Sequence, residues 1–355
     1  LILAPARTVA SRLRRDGTAW LPAGSMVAGL AAYGFLLWGG RALGSEAFAP
    51  IATLWTVQYI VMATALFAIE QYVVRLTAVP GRAHHLREVT PMLWLTLIGI
   101  AVAVVLAEEV ILGSWELALV GGSWVVTLGA LTLARGIAGG RGWYRVAGIA
   151  TGSESATRFL LALVAVTVLG TTMSLALTLP CGPIPFLVWW WLRHRDQTTD
   201  QRTSGPLGSS HDPPRTTIGA TAAFLLTTAF ANGSLQVLLG GGPLVLIGLG
   251  ASAAQISAFF ATTALARAPL LIAIGIVPRI LNPLTRRAEA GEYAAVRELA
   301  WLVVAGTLAT AALGGLAGYL VGPRIVGILY GGDFAISGLA TGAAAAAVVV
   351  AMGAL

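Results

Sequence analysis

The sequence predicts an all-α, polytopic transmembrane helix bundle, and three observations carry that prediction. Hydrophobic side chains make up 57% of the 355 residues, charged ones only 10%, and the mean hydropathy is +0.82, whereas soluble domains are about one quarter charged. Apolar runs of spanning length recur along the whole chain, and none shows the alternating ten-residue pattern of an outer-membrane barrel. The arginines fall almost entirely in alternate loops between those runs, as membrane topology requires.

Ten runs are long enough to cross a bilayer, which needs about 20 apolar residues. They are Trp20–Gly40, Ile51–Val74, Met92–Leu112, Trp115–Ala134, Val146–Leu169, Thr172–Leu192, Ile218–Leu249, Ala253–Val277, Ala295–Val321 and Ile336–Leu355. The basic start, Arg7 to Arg15, precedes a run too long for a signal-peptide core and reads as a cytoplasmic tail. The sixth run carries Pro180, Pro183 and Pro185, each lacking a backbone donor, which membrane helices tolerate when neighbours satisfy the freed carbonyls. The seventh is too long for one straight crossing at 1.5 Å per residue, and Gly240, Gly241, Gly242 and Pro243 sit inside it. They predict a break or hinge there. Between the sixth and seventh runs, residues 193–216 form a polar linker with no apolar face. The domain reading is therefore a six-helix N-terminal lobe over 1–192, the linker over 193–216, and four helices of a second lobe over 217–355.

All 22 cations are arginines; the sequence has no lysine, which is compositional bias rather than a functional demand. The formal charge of +7 raises nucleic acid as a partner, but location removes it. Eighteen arginines lie in the N-terminal tail and the loops after even-numbered spans; only Arg41 and Arg324 lie in the opposite loops. The opposite loops carry Glu46, Glu108, Glu109, Glu116 and Asp333 instead. This places the N-terminus in the cytoplasm. A single cysteine, Cys181, excludes an intrachain disulfide. A weak parallel repeat pairs Leu43-Gly44-Ser45 with Leu249-Gly250-Ala251, six spans apart.

Three segments resemble the multidrug/oligosaccharidyl-lipid/polysaccharide exporter superfamily, and within it the O-antigen-type polysaccharide flippases. The first is Arg41-Ala42-Leu43-Gly44-Ser45-Glu46-Ala47-Phe48, similar to the turn after the family's first helix, with Ala49 where glycine is usual. The second is Ala258 to Pro269, followed by Val277-Pro278-Arg279 and the Glu289-to-Tyr293 loop. The third runs from Gly322 to Phe334 through Leu329-Tyr330-Gly331-Gly332-Asp333, similar to the turn after the ninth helix. The resemblance implies a MATE-like transporter of two six-helix lobes around a central cavity, with further helices beyond Leu355. It also implies alternating-access movement of a lipid-linked glycan.

Charges inside a membrane are costly and are functional candidates by default. Glu154 and Arg158 lie one turn apart in the fifth span, in the favourable acid-first order. They read as a self-neutralising pair or as a cavity arginine whose rotamer the glutamate holds. Arg267, near the middle of the eighth span with no acid within a turn, is read as facing a cavity, the alternatives being a polar partner on another helix or snorkelling. Guanidinium groups bind phosphate oxygens bidentately and stay charged when buried, which suits a polyprenyl diphosphate. Glu70 is expected to pair with Arg75, with ion coupling as the sharper alternative. Asn232 and Gln236, at i and i+4 before the glycine break, read as interhelical hydrogen bonds or as partners of sugar hydroxyls, and Gln58 and Gln255 read in the same way. Tryptophans at span ends form an aromatic belt, and Ala311, Gly314 and Gly318 indicate close helix packing.

No nucleotide-binding loop, metal cluster or nucleophilic triad is present in the sequence, so neither a cofactor nor catalysis is expected. The functional expectation is a flippase moving a polyprenyl-diphosphate-linked oligosaccharide across a bacterial inner membrane, in company with glycan polymerase and glycosyltransferases. Its competitors are a cation-coupled drug antiporter of the same fold and a membrane glycosyltransferase or polymerase.

Overall fold

The computed structural model describes residues 19–78, 83–194, 218–267 and 293–353. The arginine-rich N-terminal tail, nearly all of the 193–216 linker, the end of the eighth span and the Arg279-to-Arg287 loop lie outside the described residues. The described chain is all α, with no strand. Its helices are α1 (Trp20–Val61), a π-helical segment (Met62–Leu66), α2 (Phe67–Ala78), α3 (Ala83–Leu112), α4 (Trp115–Gly140) and α5 (Tyr144–Leu169). Then follow α6 (Thr172–Cys181), α7 (Ile184–His194), α8 (Ile218–Gly240), α9 (Gly242–Gly248), α10 (Ala253–Ala266), α11 (Tyr293–Tyr330) and α12 (Gly338–Gly353). Six helical stretches among the described residues are long and apolar enough to cross a membrane, the composition of a multi-pass membrane protein.

The described part of each of the ten apolar runs falls on helix, and the deviations have physical causes. The connection expected between the first two runs is a single kink inside α1, at Gly44 (φ 78°, ψ 170°). Only glycine takes that conformation without steric cost. Gly250, its counterpart in the proposed repeat, has φ 76°. The sixth run is divided by Gly182 and Pro183 into α6 and α7, because Pro183 has no N–H to continue the ladder. The seventh is divided at Gly241 into α8 and α9, as its glycines and Pro243 predict.

Two compact units emerge. The described parts of Leu1–Phe35 and Val57–Ser234 form the first, and those of Leu36–Thr56 and Leu235–Leu355 form the second. In the first unit α4 is the hub, packed on by α2, α3, α5, α6 and α7. Its glycines explain how so many neighbours fit. A Cβ on Gly136 would come within 2.8 Å of Val73 and 3.1 Å of the Glu70 carbonyl, one on Gly129 within 2.7 Å of Leu97, and one on Gly140 within 2.6 Å of the Val74 carbonyl. Without those side chains, backbones approach closely, the usual device for association where lipid removes the hydrophobic drive.

In the second unit α11 and α12 form the main contact. Gly318 faces Gly342 and the Thr341 carbonyl, and a Cβ there would come within 2.9 Å of that oxygen. The Thr341 hydroxyl donates back to the Gly318 carbonyl at 2.7 Å. The packing stripe is therefore Gly315, Gly318 and Gly322; a Cβ on Gly314 would meet only Val349, at 3.7 Å.

Candidate functional site

The described parts of the three segments that carry the family resemblance fold into one cluster of the second unit; residues 268–292 of the second segment lie outside the described residues. Arg41 donates to the Ile328 carbonyl at 2.9 Å. The Ser257 hydroxyl donates to the Ser45 carbonyl at 2.6 Å. Phe48 packs against Phe260 and Phe334, each with ring centroids 6.2 Å apart, and Phe334 lies 5.1 Å from the Tyr330 ring. Phe48, Tyr330 and Phe334 are fully buried. Gly40 is small because a Cβ there would come within 2.7 Å of the Tyr330 ring. The turn glycines thus allow the chain to reverse, and the aromatic residues lock the reversals together. These motifs are packing devices in this structure.

The intramembrane charges are placed differently from one another. Glu154 and Arg158 on α5 form an ion pair of 2.7 Å, with both side chains nearly buried. Ser155 donates to the second Glu154 oxygen at 2.7 Å and accepts from Arg158 at 3.3 Å. The guanidinium also lies over the rings of Trp124 (5.4 Å) and Phe35 (5.8 Å). Gly182, at the α6–α7 break, lies so close that a Cβ there would meet the Glu154 carbonyl at 2.9 Å. Arg158 is thereby wrapped inside the first unit by aromatic faces and one carboxylate, an environment that suits a permanently charged planar cation.

Arg267 terminates α10 rather than sitting at mid-helix: it is the residue after Ala266, where the described helix ends. Its guanidinium donates to the carbonyl of Leu239, one residue before α8 ends. Asn232 turns its amide back onto the Thr228 carbonyl of its own helix at 3.0 Å, and Gln236 Oε1 is buried with no hydrogen-bond partner among the described residues. The break at Gly240, Gly241, Gly242 and Pro243 is stabilised from α10, where the Phe259 ring occupies the space a Gly242 side chain would need.

Two expectations need correcting. Glu70 does not pair with Arg75; it binds Arg135 of α4 at 2.5 Å, while Arg75 lies 5.5 Å over the Phe224 ring. Gln255 makes no interhelical bond either: it completes a capping box with Ser252 at the start of α10. Glu108, expected in an outer loop, belongs to the core: it lies in the last turns of α3 and is fully buried.

A cavity of about 280 Å³ opens in the first unit between α2, α3, α4 and α7. Val73, Leu86, Thr90, Trp94, Leu187 and Trp190 are among its walls. It is apolar and aromatic, and none of the charged candidates lines it. No group of three or more histidine, cysteine or acidic residues able to hold a metal exists among the described residues. The fold and its buried charges define the class of a multi-pass helical membrane protein. No family model, curated protein or solved structure matches the chain.

Proposed function

We propose that this chain is a secondary transporter of the flippase type, carrying a polyprenyl-diphosphate-linked oligosaccharide from the inner to the outer leaflet of a bacterial inner membrane. The observation that carries the reading is Arg267, a permanently charged donor held at the break of an apolar helix. A guanidinium in that setting suits a diphosphate, which it can bind bidentately. The break at Gly240 to Pro243 is the hinge of the proposal, since broken helices in transporters expose polar backbone where substrate passes. Asn232 and Gln236 precede it by one to two turns and are the donors and acceptors available to sugar hydroxyls. Arg158, engaged by Glu154 and Ser155, holds the first unit together. The arginine distribution orients the N-terminus to the cytoplasm, where a lipid-linked glycan would be received from glycosyltransferases and, once flipped, passed to a polymerase.

The test is transport of a fluorescent lipid-diphosphate sugar in proteoliposomes by wild type, Arg267→Lys and Arg267→Ala. Lysine can still donate to the Leu239 carbonyl but cannot make the bidentate contact, so Arg267→Lys should stay folded and lose transport. One charge-assisted hydrogen bond is worth about 1.5–3 kcal/mol, roughly ten- to a hundredfold in rate. Undiminished transport by Arg267→Lys and Arg267→Ala would overturn the assignment.

A further inference from the structure

We infer that Glu108 is a proton-binding site built into the α3–α4 seam of the first unit, protonated when the two helices are closed as seen here and ionised when they part. The inference stands apart from the transport proposal and needs no substrate.

Helix α3 meets α4 through the stripe Leu93, Leu97, Ala101, Val104 and Glu108, all buried, with Leu93, Leu97 and Glu108 fully so. Four positions of that stripe are apolar and the fifth is a carboxylic acid. Its carboxyl group fills the space that a side chain at Gly121 would occupy, so the glycine of α4 is the floor of the site. Neither carboxyl oxygen has a hydrogen-bond partner among the described residues. An ionised carboxylate there would face an apolar helix surface with no cation among the described residues, a costly arrangement even after relaxation. A protonated one fits the same space as a neutral, nearly isosteric group.

Among the described residues no cation is placed to relieve the charge. On α4 the nearest titratable residues are Glu116, in the exposed first turn, and Arg135, which lies roughly 21 Å further along the helix and is held by Glu70. The α2 helix brings Glu70, which is bound to that same Arg135 and is therefore about as distant, with Tyr72 and Arg75 further along α2. On α3 itself the adjacent half-buried residue, Glu109, is an acid and supplies no compensating charge. In the first turn of α4 the Leu117 N–H is capped by the Ser114 hydroxyl and the Ala118 N–H donates to the Ser114 carbonyl, and Gly121 lies beyond the turn whose N–H groups would stabilise an anion. The site nevertheless has a path to water. Glu108 is only four residues from the end of α3, and Gly113 and Ser114 alone join it to α4, so a small separation of the hairpin hydrates it.

The experiment is infrared spectroscopy of the full chain in lipid, titrated from mildly acidic to alkaline pH, with amide exchange of the α3–α4 hairpin followed in parallel. Wild type should show a protonated-carboxyl C=O stretch that disappears at alkaline pH as hairpin exchange accelerates beyond its chemical pH dependence. Glu108→Gln, a permanent mimic of the protonated acid, should lack both the band and the pH-dependent opening. Gly121→Ala, which fills the floor of the site, should show fast hairpin exchange already at mildly acidic pH. A band that survives in Glu108→Gln, or hairpin exchange with the same pH response in wild type and Glu108→Gln, overturns the inference. Should Glu108→Gln fail to fold, the absence of any titrating band in wild type overturns it equally.

Discussion

Arg267 supplies the hydrogen bond that Pro243 withholds from Leu239. In a continuous helix the Leu239 carbonyl would accept from the N–H of residue 243, but proline has none. The Arg267 guanidinium donates to that oxygen instead, so the charge at the end of α10 and the break between α8 and α9 form one structural unit. Removing a donor from a buried acceptor costs about 1–3 kcal/mol. Arg267→Ala should therefore lower the thermal midpoint in detergent, and Pro243→Ala, which restores a backbone donor, should make the same arginine substitution nearly silent. A double-mutant cycle on melting curves reads the coupling; additive effects would show the two residues to be independent.

The Glu154–Arg158 pair predicts an asymmetry between single and double substitutions. Arg158→Leu leaves the buried Glu154 carboxylate without its cation and should destabilise by about 3–5 kcal/mol. Glu154→Leu combined with Arg158→Leu removes both charges and should be milder than the arginine change alone. Folded yield and melting temperature after purification separate these outcomes. A double variant worse than the single would mean that the pair does more than neutralise itself.

Along α11 the two glycines at 314 and 318 should respond differently to the same change. An alanine Cβ at Gly314 lies in ordinary contact with Val349, whereas at Gly318 it presses on the Thr341 carbonyl and the Gly342 backbone. Overpacking of this kind costs about 1–3 kcal/mol. Gly318→Ala should lower the melting temperature and Gly314→Ala should leave it within error.

Orientation is testable with single cysteines in a Cys181→Ser background. Glu116→Cys lies at the α3–α4 turn and Arg141→Cys at the α4–α5 turn, both exposed. With the N-terminus inside, a membrane-impermeant maleimide should label Glu116→Cys in intact cells and Arg141→Cys only after permeabilisation. The reverse pattern would invert the topology.

The helices were legible because a run of some twenty apolar residues has few alternatives to a helix in lipid, and the breaks because Gly44, Gly241 and Pro243 act through their own backbones. Partners across the fold were not legible. Glu70 has Arg75 five residues away in the chain, yet takes Arg135, 65 residues on, because α2 and α4 are held together through Gly136. Glu108 escaped notice for another reason: both faces of α3 are apolar, one toward protein and one toward lipid, so no periodicity marks residue 108 as inward. In a soluble helix a polar outer face would have drawn that line. The resemblance motifs were visible as sequence, but their mutual packing through Phe48, Phe260, Tyr330 and Phe334 was not, since the segments lie far apart in the chain.

The glycines of α4 have a mechanical implication. Helices α2 and α3 rest against its main chain at Gly129, Gly136 and Gly140, where α4 itself presents no side chain that could change rotamer. Rotamer changes absorb small displacements locally; a bare backbone has nothing to rearrange. The seams of α4 with α2 and α3 are therefore stiff on the α4 side, so that these two helices are tied to its axis more tightly than interleaved side chains would tie them.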